Sequence, residues 1–309
     1  MRRLFFAVFL VVACATVAAA DSIEKAGHAY GRGDYVQAER LYRSLAEQGD
    51  PKAQYFLGVM YANGQGVPQD YKKAMTWIGK AAVQGDAGAQ RDLGLMYVNG
   101  QGVPRNNQEA VKWIGKAAVQ GDAGAQRIVG VMYVNGQIVP QDNQEAVKWI
   151  RKAADQGDAG AQYRLGLMYA DGKGVSQDNQ EAVKWIRKAA DQGHAGAQYR
   201  LGLMYADGKG VPQDDHEALK WTRKAAEQGH AGAQLGLGLT YYTGRRGIPR
   251  DNIRAHMWFS IAASALSGYE GKRAMAHRDE IASQLTGLQI GKAQERARRC
   301  QQSKFKECD

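Results

Sequence analysis

Cysteine is scarce in this chain: 309 residues contain only Cys14, Cys300 and Cys308. The long stretch between Cys14 and Cys300 therefore offers no thiolate ligands and no disulfide framework. Histidine is also scarce, with six residues. His194 and His230 stand one 36-residue interval apart, and in stacked units they would be roughly 10 Å from each other, too far to share a zinc ion. We predict no metal site and no cofactor.

Signatures of catalysis are missing as well. No serine or cysteine nucleophile has a recognisable base beside it. The Gly-x-Gly segments follow helical patterns rather than strands, so they are predicted to be turns and not phosphate-binding loops. The sequence therefore predicts a protein that is not an enzyme and has no catalytic residues.

Long apolar runs are confined to the first 20 residues. Arg2 and Arg3 precede the apolar run Leu4–Val12, and three alanines end at Ala20, which is the pattern of a cleaved export signal. We expect cleavage after Ala20 and a periplasmic or secreted protein. The alternative is a lipid anchor on Cys14, because residues 11–14 resemble a bacterial lipobox. No later stretch approaches the roughly 20 apolar residues of a membrane span.

Charge of one sign is not concentrated on any repeated segment. The net charge is +10, yet residues 197–232 carry five basic and five acidic side chains. A dispersed excess of this kind is more typical of a solvated surface than of a nucleic-acid footprint. We expect protein partners, no nucleic acid and a monomer.

Tryptophan recurs at a fixed interval, which indicates a repeat array. Four intervals are 36 residues and the last is 37, for the following residues: Trp77, Trp113, Trp149, Trp185, Trp221 and Trp258. Each unit of such an array buries its apolar face against its neighbours. We expect the six tryptophans to be core residues that fill the gaps between units.

Each 36-residue unit is predicted to hold two antiparallel helices. In the unit that starts at Asp158, this aspartate is an N-cap for a first helix, and Gly172 and Gly174 interrupt the helical pattern. Asp178 and Glu181 then have the spacing of a capping box for a second helix. His194 and His230 replace the aspartate N-cap in two later units.

The motifs of the unit resemble those of a known family. The first helix carries Ala-x-Ala-Gln-Tyr-x-Leu-Gly-x-Met-Tyr, the loop Gly-x-Gly-Val-Pro, and the second helix Glu-Ala-x-x-Trp-x-x-Lys-Ala-Ala. This pattern resembles the SEL-1-like repeat, a longer-looped relative of the tetratricopeptide repeat, from residue 53 to 232. The resemblance implies an all-α fold, a right-handed α/α superhelical solenoid, and a non-enzymatic scaffold of the bacterial cell envelope that binds a partner segment in a concave groove. The alternative is a protein that binds or hydrolyses peptidoglycan or β-lactams, as cysteine-rich relatives do.

The chain is accordingly divided into five parts. We expect a signal peptide at 1–20, a degenerate first repeat at 21–51, five repeats at 52–232, a variant sixth repeat at 233–271, and a helical cap and tail at 272–309.

Two rows of first-helix positions are predicted to face the groove, by phase with tetratricopeptide units. The tyrosine–arginine row consists of Tyr55, Arg91, Arg127, Tyr163 and Tyr199. The amide–carboxylate row consists of Asn63, Asn99, Asn135, Asp171 and Asp207. For the second row, an equally good interpretation is that these side chains only cap the glycine-rich loop.

Two further positions give specific expectations. Ile138 stands where the other loops have their second glycine, so either this loop has rearranged, in which case Ile138→Gly would be stabilising, or φ is negative throughout. In the tail, Cys300 and Cys308 are even in number and the inferred compartment is oxidising, which favours a disulfide. The alternative is two free thiols on a disordered tail. Eight residues of helix span about 12 Å, so the last helix must end near Cys300 and the chain must fold back.

Overall fold

The computed structural model describes residues 22–244 and 247–308 and shows helices joined by turns. The predicted signal peptide, the alternative lipid anchor on Cys14 and residues 245–246 of the variant repeat lie outside the described residues. The helices are α1 (residues 22–31), α2 (Tyr35–Glu47), α3 (Pro51–Asn63), α4 (Tyr71–Val83), α5 (Ala87–Asn99), α6 (Asn107–Val119), α7 (Ala123–Asn135), α8 (Asn143–Asp155), α9 (Ala159–Asp171), α10 (Asn179–Asp191), α11 (Ala195–Asp207), α12 (Asp215–Ala226), α13 (Ala231–Thr243), α14 (Asn252–Ala265), α15 (Gly268–Ala282) and α16 (Gly287–Gln302).

The fold is an all-α helical repeat solenoid, as predicted. Its contacts divide the chain into two units, with α1 to α7 before Asn143 and α8 to α16 from that residue on. Within each unit a helix contacts its partner in the same repeat and the first helix of the next, as α11 does with α12 and α12 with α13. We call the two helices of a repeat A and B.

Local capping chemistry sets the helix ends where the sequence predicts them. The A helices start at aspartates such as Asp158, whose carboxylate accepts from Ala161 N–H at 2.6 Å. In two later repeats the imidazoles of His194 and His230 do the same through Nδ1. Asp178 caps α10 as predicted, because its carboxylate accepts from the N–H groups of Gln180 and Glu181. The reciprocal half of the predicted capping box is wrong, because the Glu181 carboxylate accepts from Lys184 on its own helix.

Glycine permits close packing within a helix pair. A Cβ added to Gly166 of α9 would lie 2.5 Å from Cγ1 of Ile186 on α10. A Cβ added to Gly202 of α11 would lie 2.5 Å from Oγ1 of Thr222 on α12. In these pairs the backbone of the A helix at the glycine therefore lies directly against a side chain of the B helix. Buried alanines, such as Ala182 and Ala189, fill the remaining contact.

The fourth residue of six A helices, α3, α5, α7, α9, α11 and α13, is a buried glutamine that the sequence analysis does not predict. Gln162 donates to the carbonyl of Ala154 at 3.1 Å, and its own carbonyl accepts from Gln192 at 2.8 Å. Gln54, Gln90 and Gln198 make the equivalent pairs. These side chains satisfy backbone groups that packing removes from water.

The expectation that all six tryptophans are core residues is only partly right. Trp221 and Trp258 are buried, whereas the four earlier ones are partly exposed. Their outer faces carry a lysine three residues on, such as Lys188, whose Nζ lies 4.2 Å from the Trp185 ring centroid. An indole this large covers apolar surface while one face stays in contact with solvent and a cation.

The loop at Ile138 has rearranged. The second glycine of the other loops has φ between 71° and 75° at Gly66, Gly102, Gly174 and Gly210. Among the described residues, Lys304 and Phe305 are the non-glycine residues with positive φ, so Ile138 does not share that conformation. Of the two expectations for this loop, the first is the one that the structure supports.

Candidate interaction surface

The tyrosine–arginine row occupies the fifth residue of successive A helices, and its members are half-buried. In the first unit, Tyr55 donates to Asp92 Oδ2 at 2.8 Å and Arg91 Nε donates to Asp92 Oδ1 at 2.8 Å. Arg91 also reaches Asp122, the N-cap of α7, at 3.0 Å. This network links three consecutive A helices, so Arg91 is already engaged within the chain.

The electrostatics of this network fix its protonation. Burial works against the charge on Arg91, but the hydrogen bond to Asp92 and the charges of Asp92 and Asp122 outweigh it and raise the pKa of Arg91. Burial, together with Asp92, raises the pKa of Tyr55. Arg91 is therefore a permanent cation and Tyr55 a neutral donor. Arg127, the next member of the row, is also half-buried.

In the second unit the row packs on histidine N-caps. The ring centroids of Tyr163 and His194 lie 4.8 Å apart, and those of Tyr199 and His230 lie 5.0 Å apart. Burial raises the pKa of both tyrosines. The charge of Arg200 opposes the rise at Tyr163, and at Tyr199 Glu270 adds to the rise while Arg273 opposes it. Both phenols stay protonated, and part of each ring remains accessible.

The members of the amide–carboxylate row are the last residues of five A helices, α3, α5, α7, α9 and α11. Each is followed directly by a glycine in the left-handed conformation. All five side chains are exposed. Three have a partner two residues on: Asn63 contacts Gln65, Asp171 contacts Lys173, and Asp207 contacts Lys209. Such contacts suit local capping and also leave an accessible polar edge.

A cavity of about 280 Å³ lies between α11, α12 and α13 in the second unit. We call it the α11–α13 cavity. Tyr199 and Asp207, one from each predicted row, both line it. Asp215, Thr222, Gly236 and Thr240 are also in its wall. The structure therefore brings two predicted site residues together with four that sequence reasoning missed.

Three residues of the cavity wall depart from the repeat pattern. Gly236 stands where the two preceding A helices have Arg164 and Arg200. Thr240 replaces a methionine that the five preceding A helices share, at Met60, Met96, Met132, Met168 and Met204. Thr222 replaces an isoleucine that the four preceding B helices share, at Ile78, Ile114, Ile150 and Ile186. These departures could have been found by aligning the repeats with each other.

The wall of this cavity contains several hydrogen-bond acceptors. The hydroxyls of Thr240 and Thr243 donate to carbonyls on their own helix at 2.9 Å, so their lone pairs remain as acceptors. The Asp207 carboxylate is half-exposed and paired with Lys209, and Asp215 is nearly buried. Among the described residues that line the cavity, none is basic.

A family model, the Sel1 repeat, matches seven consecutive segments between residues 21 and 265, namely 21–50, 51–86, 87–122, 123–158, 159–194, 195–230 and 231–265. The chain belongs to the Sel1 repeat family. Sel1 repeat proteins are generally non-enzymatic scaffolds that mediate protein–protein interaction. No curated protein matches this Sel1 repeat chain.

Two solved structures are similar over most of this Sel1 repeat protein. A Sel1 repeat protein from Oxalobacter formigenes is 36% identical, with a TM-score of 0.71, over 78% of this chain and 96% of its own. A protective antigen present in uropathogenic Escherichia coli strains, which displays an SLR fold, is 32% identical. Its TM-score is 0.60 over 94% of this chain and 74% of its own.

The part of the chain that the structure describes holds neither a candidate metal site nor a membrane-spanning helix. No three histidine, cysteine, aspartate or glutamate side chains there are grouped so as to hold a metal ion. None of the helices in that part combines the length and the apolar character that a membrane crossing requires.

Proposed function

We propose that this Sel1 repeat protein is a scaffold of the bacterial cell envelope that binds a segment of a partner protein along its A helices. The observation that carries the proposal is the recurrence of partly accessible tyrosines at one A-helix position, Tyr163 and Tyr199, the second of which opens onto a cavity. A row of equivalent positions suits an extended partner, because each repeat offers the same contact to successive residues of the bound segment.

The location of this scaffold follows from the N-terminal sequence. Arg2, Arg3, the apolar run Leu4–Val12 and the alanines before Asp21 favour export with cleavage after Ala20. An oxidising compartment is also consistent with a bond between Cys300 and Cys308, which lie close together in the tail. The protein would then act in the periplasm or outside the cell.

Photo-crosslinking tests which helices meet the partner. Replacing Tyr163 or Tyr199 with p-benzoylphenylalanine, in the cells that make the protein, is expected to yield a discrete crosslinked product that mass spectrometry identifies. Crosslinking suits these positions better than alanine substitution, because the row also holds consecutive A helices together.

The matched controls are exposed B-helix positions, Gln180 and Val119. Products from the B helices alone would show that the A-helix surface is the wrong one. The absence of any product from all four positions, with the protein present at normal levels, would contradict the scaffold proposal.

A further inference from the structure

We propose that a cavity between the last three helices binds a carboxylate group. The cavity has a volume of about 490 Å³ and is lined by residues of α14, α15 and α16, all in the second unit. We call it the α14–α16 cavity. None of its lining residues belongs to either predicted row, so this site does not depend on the scaffold function proposed above.

The least exposed residue in the wall of this cavity is a histidine. His256 of α14 is 3% exposed, and its Nδ1 atom is enclosed without a hydrogen-bond partner among the described residues. Burial and the charge of Arg278 lower the pKa of His256 from 6.5, although Asp279 opposes the change, so the imidazole is neutral at pH 7.5. A neutral imidazole carries one N–H group. Because Nδ1 is enclosed, Nε2 is the nitrogen through which this ring can donate to a guest.

Two arginines and a glutamine supply further donors. Arg278 of α15 binds the Asp279 carboxylate with Nε at 2.8 Å and Nη2 at 2.7 Å, which leaves its Nη1 group for a guest. Gln294 and Arg298 lie one turn apart on α16, where both are exposed. Neither forms a hydrogen bond or an ion pair with the residues that the structure describes. Their donors are therefore available at the edge of the cavity, above the buried histidine.

The charges of the wall match a guest with one negative charge. Arg278 and Arg298 are cations and Asp279 is an anion, so the described lining residues sum to +1 while His256 is neutral. The Ser260 hydroxyl donates to the His256 carbonyl at 2.8 Å and has no proton left for a guest. A carboxylate carries one charge, and its two oxygens only accept. A phosphate dianion would bring a second negative charge close to Asp279.

Helix packing holds the donors of α16 in place. Ala293, Ala297 and Cys300 form the buried side of this helix. Gln301, at its end, donates to the Ser264 hydroxyl of α14 at 3.0 Å. Gln294 and Arg298 are thus carried by a packed helix rather than by a loop, which favours a site whose geometry exists before the guest arrives.

The experiment is an NMR titration of the ¹⁵N-labelled full chain with three short peptides. Acetyl-Gly-Glu-Gly-amide offers a side-chain carboxylate, acetyl-Gly-Gly offers a C-terminal one, and acetyl-Gly-Gln-Gly-amide is the neutral twin of the first. At least one carboxylate peptide is expected to shift the amide signals of Ser260, Ala282 and Arg298 in a saturable manner. The tighter of the two identifies the source of the carboxylate. The glutamine peptide is expected to bind at least about tenfold more weakly than that peptide, since charge-assisted hydrogen bonds are the stronger ones.

Two variants remove donors from the wall. Arg298→Gln keeps an exposed polar side chain without the charge, and His256→Phe keeps a ring without the N–H group. Each is expected to weaken binding about tenfold. The matched control is Arg296→Gln, which removes the same charge from the same helix at a position outside the cavity and should leave the affinity unchanged. Because Arg298 is exposed, its variant decides the question even where His256→Phe fails to fold.

Four results would overturn the inference. These are no saturable shift with either carboxylate peptide, equal binding of the glutamate and glutamine peptides, tighter binding of inorganic phosphate than of both carboxylates, and the same affinity in Arg298→Gln as in Arg296→Gln. The scaffold proposal is tested separately, because crosslinks from Tyr163 and Tyr199 report on a different surface.

Discussion

At the scale of single residues, glycines in the loops are required for two different reasons, a positive φ and a close backbone contact. The sequence alone does not show which reason applies at which glycine. Gly174 has φ +74°, and a Cβ there would lie 2.1 Å from the carbonyl oxygen of Asn143, at the start of the preceding B helix. Gly193 has φ +87° and meets nothing within 4 Å. The first glycine is therefore required by backbone conformation and by close approach, the second by conformation alone.

This difference predicts two different costs of adding one methyl group. Gly193→Ala should lower the free energy of unfolding by about 1–2 kcal/mol, the cost of a left-handed residue with a side chain. Gly174→Ala should lower it by about 3 kcal/mol or more, because the methyl group also displaces the backbone of Asn143. Urea unfolding of the two variants measures both values. Equal losses would show that the contact with Asn143 carries no energy.

At the scale of the helix, the N-caps explain why histidine can stand where most A helices have aspartate. The Nδ1 atom of His230 accepts from Ala233 N–H at 3.1 Å, which requires a neutral imidazole with its proton on the other nitrogen. Burial lowers the pKa of His230 from 6.5, and the charge of His194 adds to the effect. The cap therefore requires the neutral form of the His230 imidazole.

This cap predicts a loss of stability on acidification. At pH 7.5 His230 is neutral in the folded and unfolded chain, whereas below 6.5 the unfolded chain binds a proton that the folded one resists. The free energy of unfolding should thus fall as the pH decreases from 6.5 to the lower folded pKa. Comparing wild type with His230→Asp at pH 7.5 and 5.5 isolates this residue, since other histidines titrate in both proteins.

The variant should lose less stability over this interval, by up to about 1 kcal/mol, the usual worth of a cap. Aspartate is the natural choice because Asp122 and Asp158 cap equivalent helices. The same decrease in both proteins would mean that His230 does not titrate as this cap requires.

The last helix ends close to Cys300 and the chain then folds back, as a bond between the tail cysteines requires. α16 stops at Gln302, and Lys304 and Phe305 take positive φ, which turns the chain back. The Cα atoms of Cys300 and Cys308 are then 4.4 Å apart, within the range of a disulfide. The Phe305 ring lies near Gly229, in the turn between α12 and α13. Closing this short loop would therefore hold the tail on the second unit.

The predicted bond is tested by thiol titration and by reduction. The mature, unreduced protein should show no reactive thiol, and dithiothreitol should lower its stability by up to roughly 2–3 kcal/mol. The matched control is Cys300→Ser/Cys308→Ser, whose stability should not respond to dithiothreitol. Two reactive thiols in the unreduced protein would refute the bond.

At the scale of the whole molecule, the chain combines repetition with a few singular positions. Seven Sel1 repeats supply equivalent helices and equivalent surface residues. The departures at Thr222, Gly236 and Thr240 fall in the last two repeats and meet around one cavity. Repetition suits an extended partner, because successive repeats offer equivalent contacts to it.

Much of this fold could be predicted because the signals are local. Asp158, the glycine pair Gly172 and Gly174, and Asp178 mark helix ends through contacts within a few residues, and the 36-residue period indicates the stacking. The tyrosine–arginine row could be listed by phase. Its internal partners could not, because Tyr55 meets Asp92 of the next repeat and the choice of partner depends on side-chain direction.

The sequence by itself determined the class of the fold, the helix ends and the family, because caps, glycine turns and periodic apolar positions act over short distances. Only the tertiary structure decided that Trp185 keeps one face in solvent while Trp258 is buried, and that Ile138 leaves the conformation of the other loops. It also decided that small residues on α12 and α13 open a cavity beside Tyr199. Each of these depends on side chains from neighbouring helices, and the volume left between helices is a property of their packing that no single segment carries.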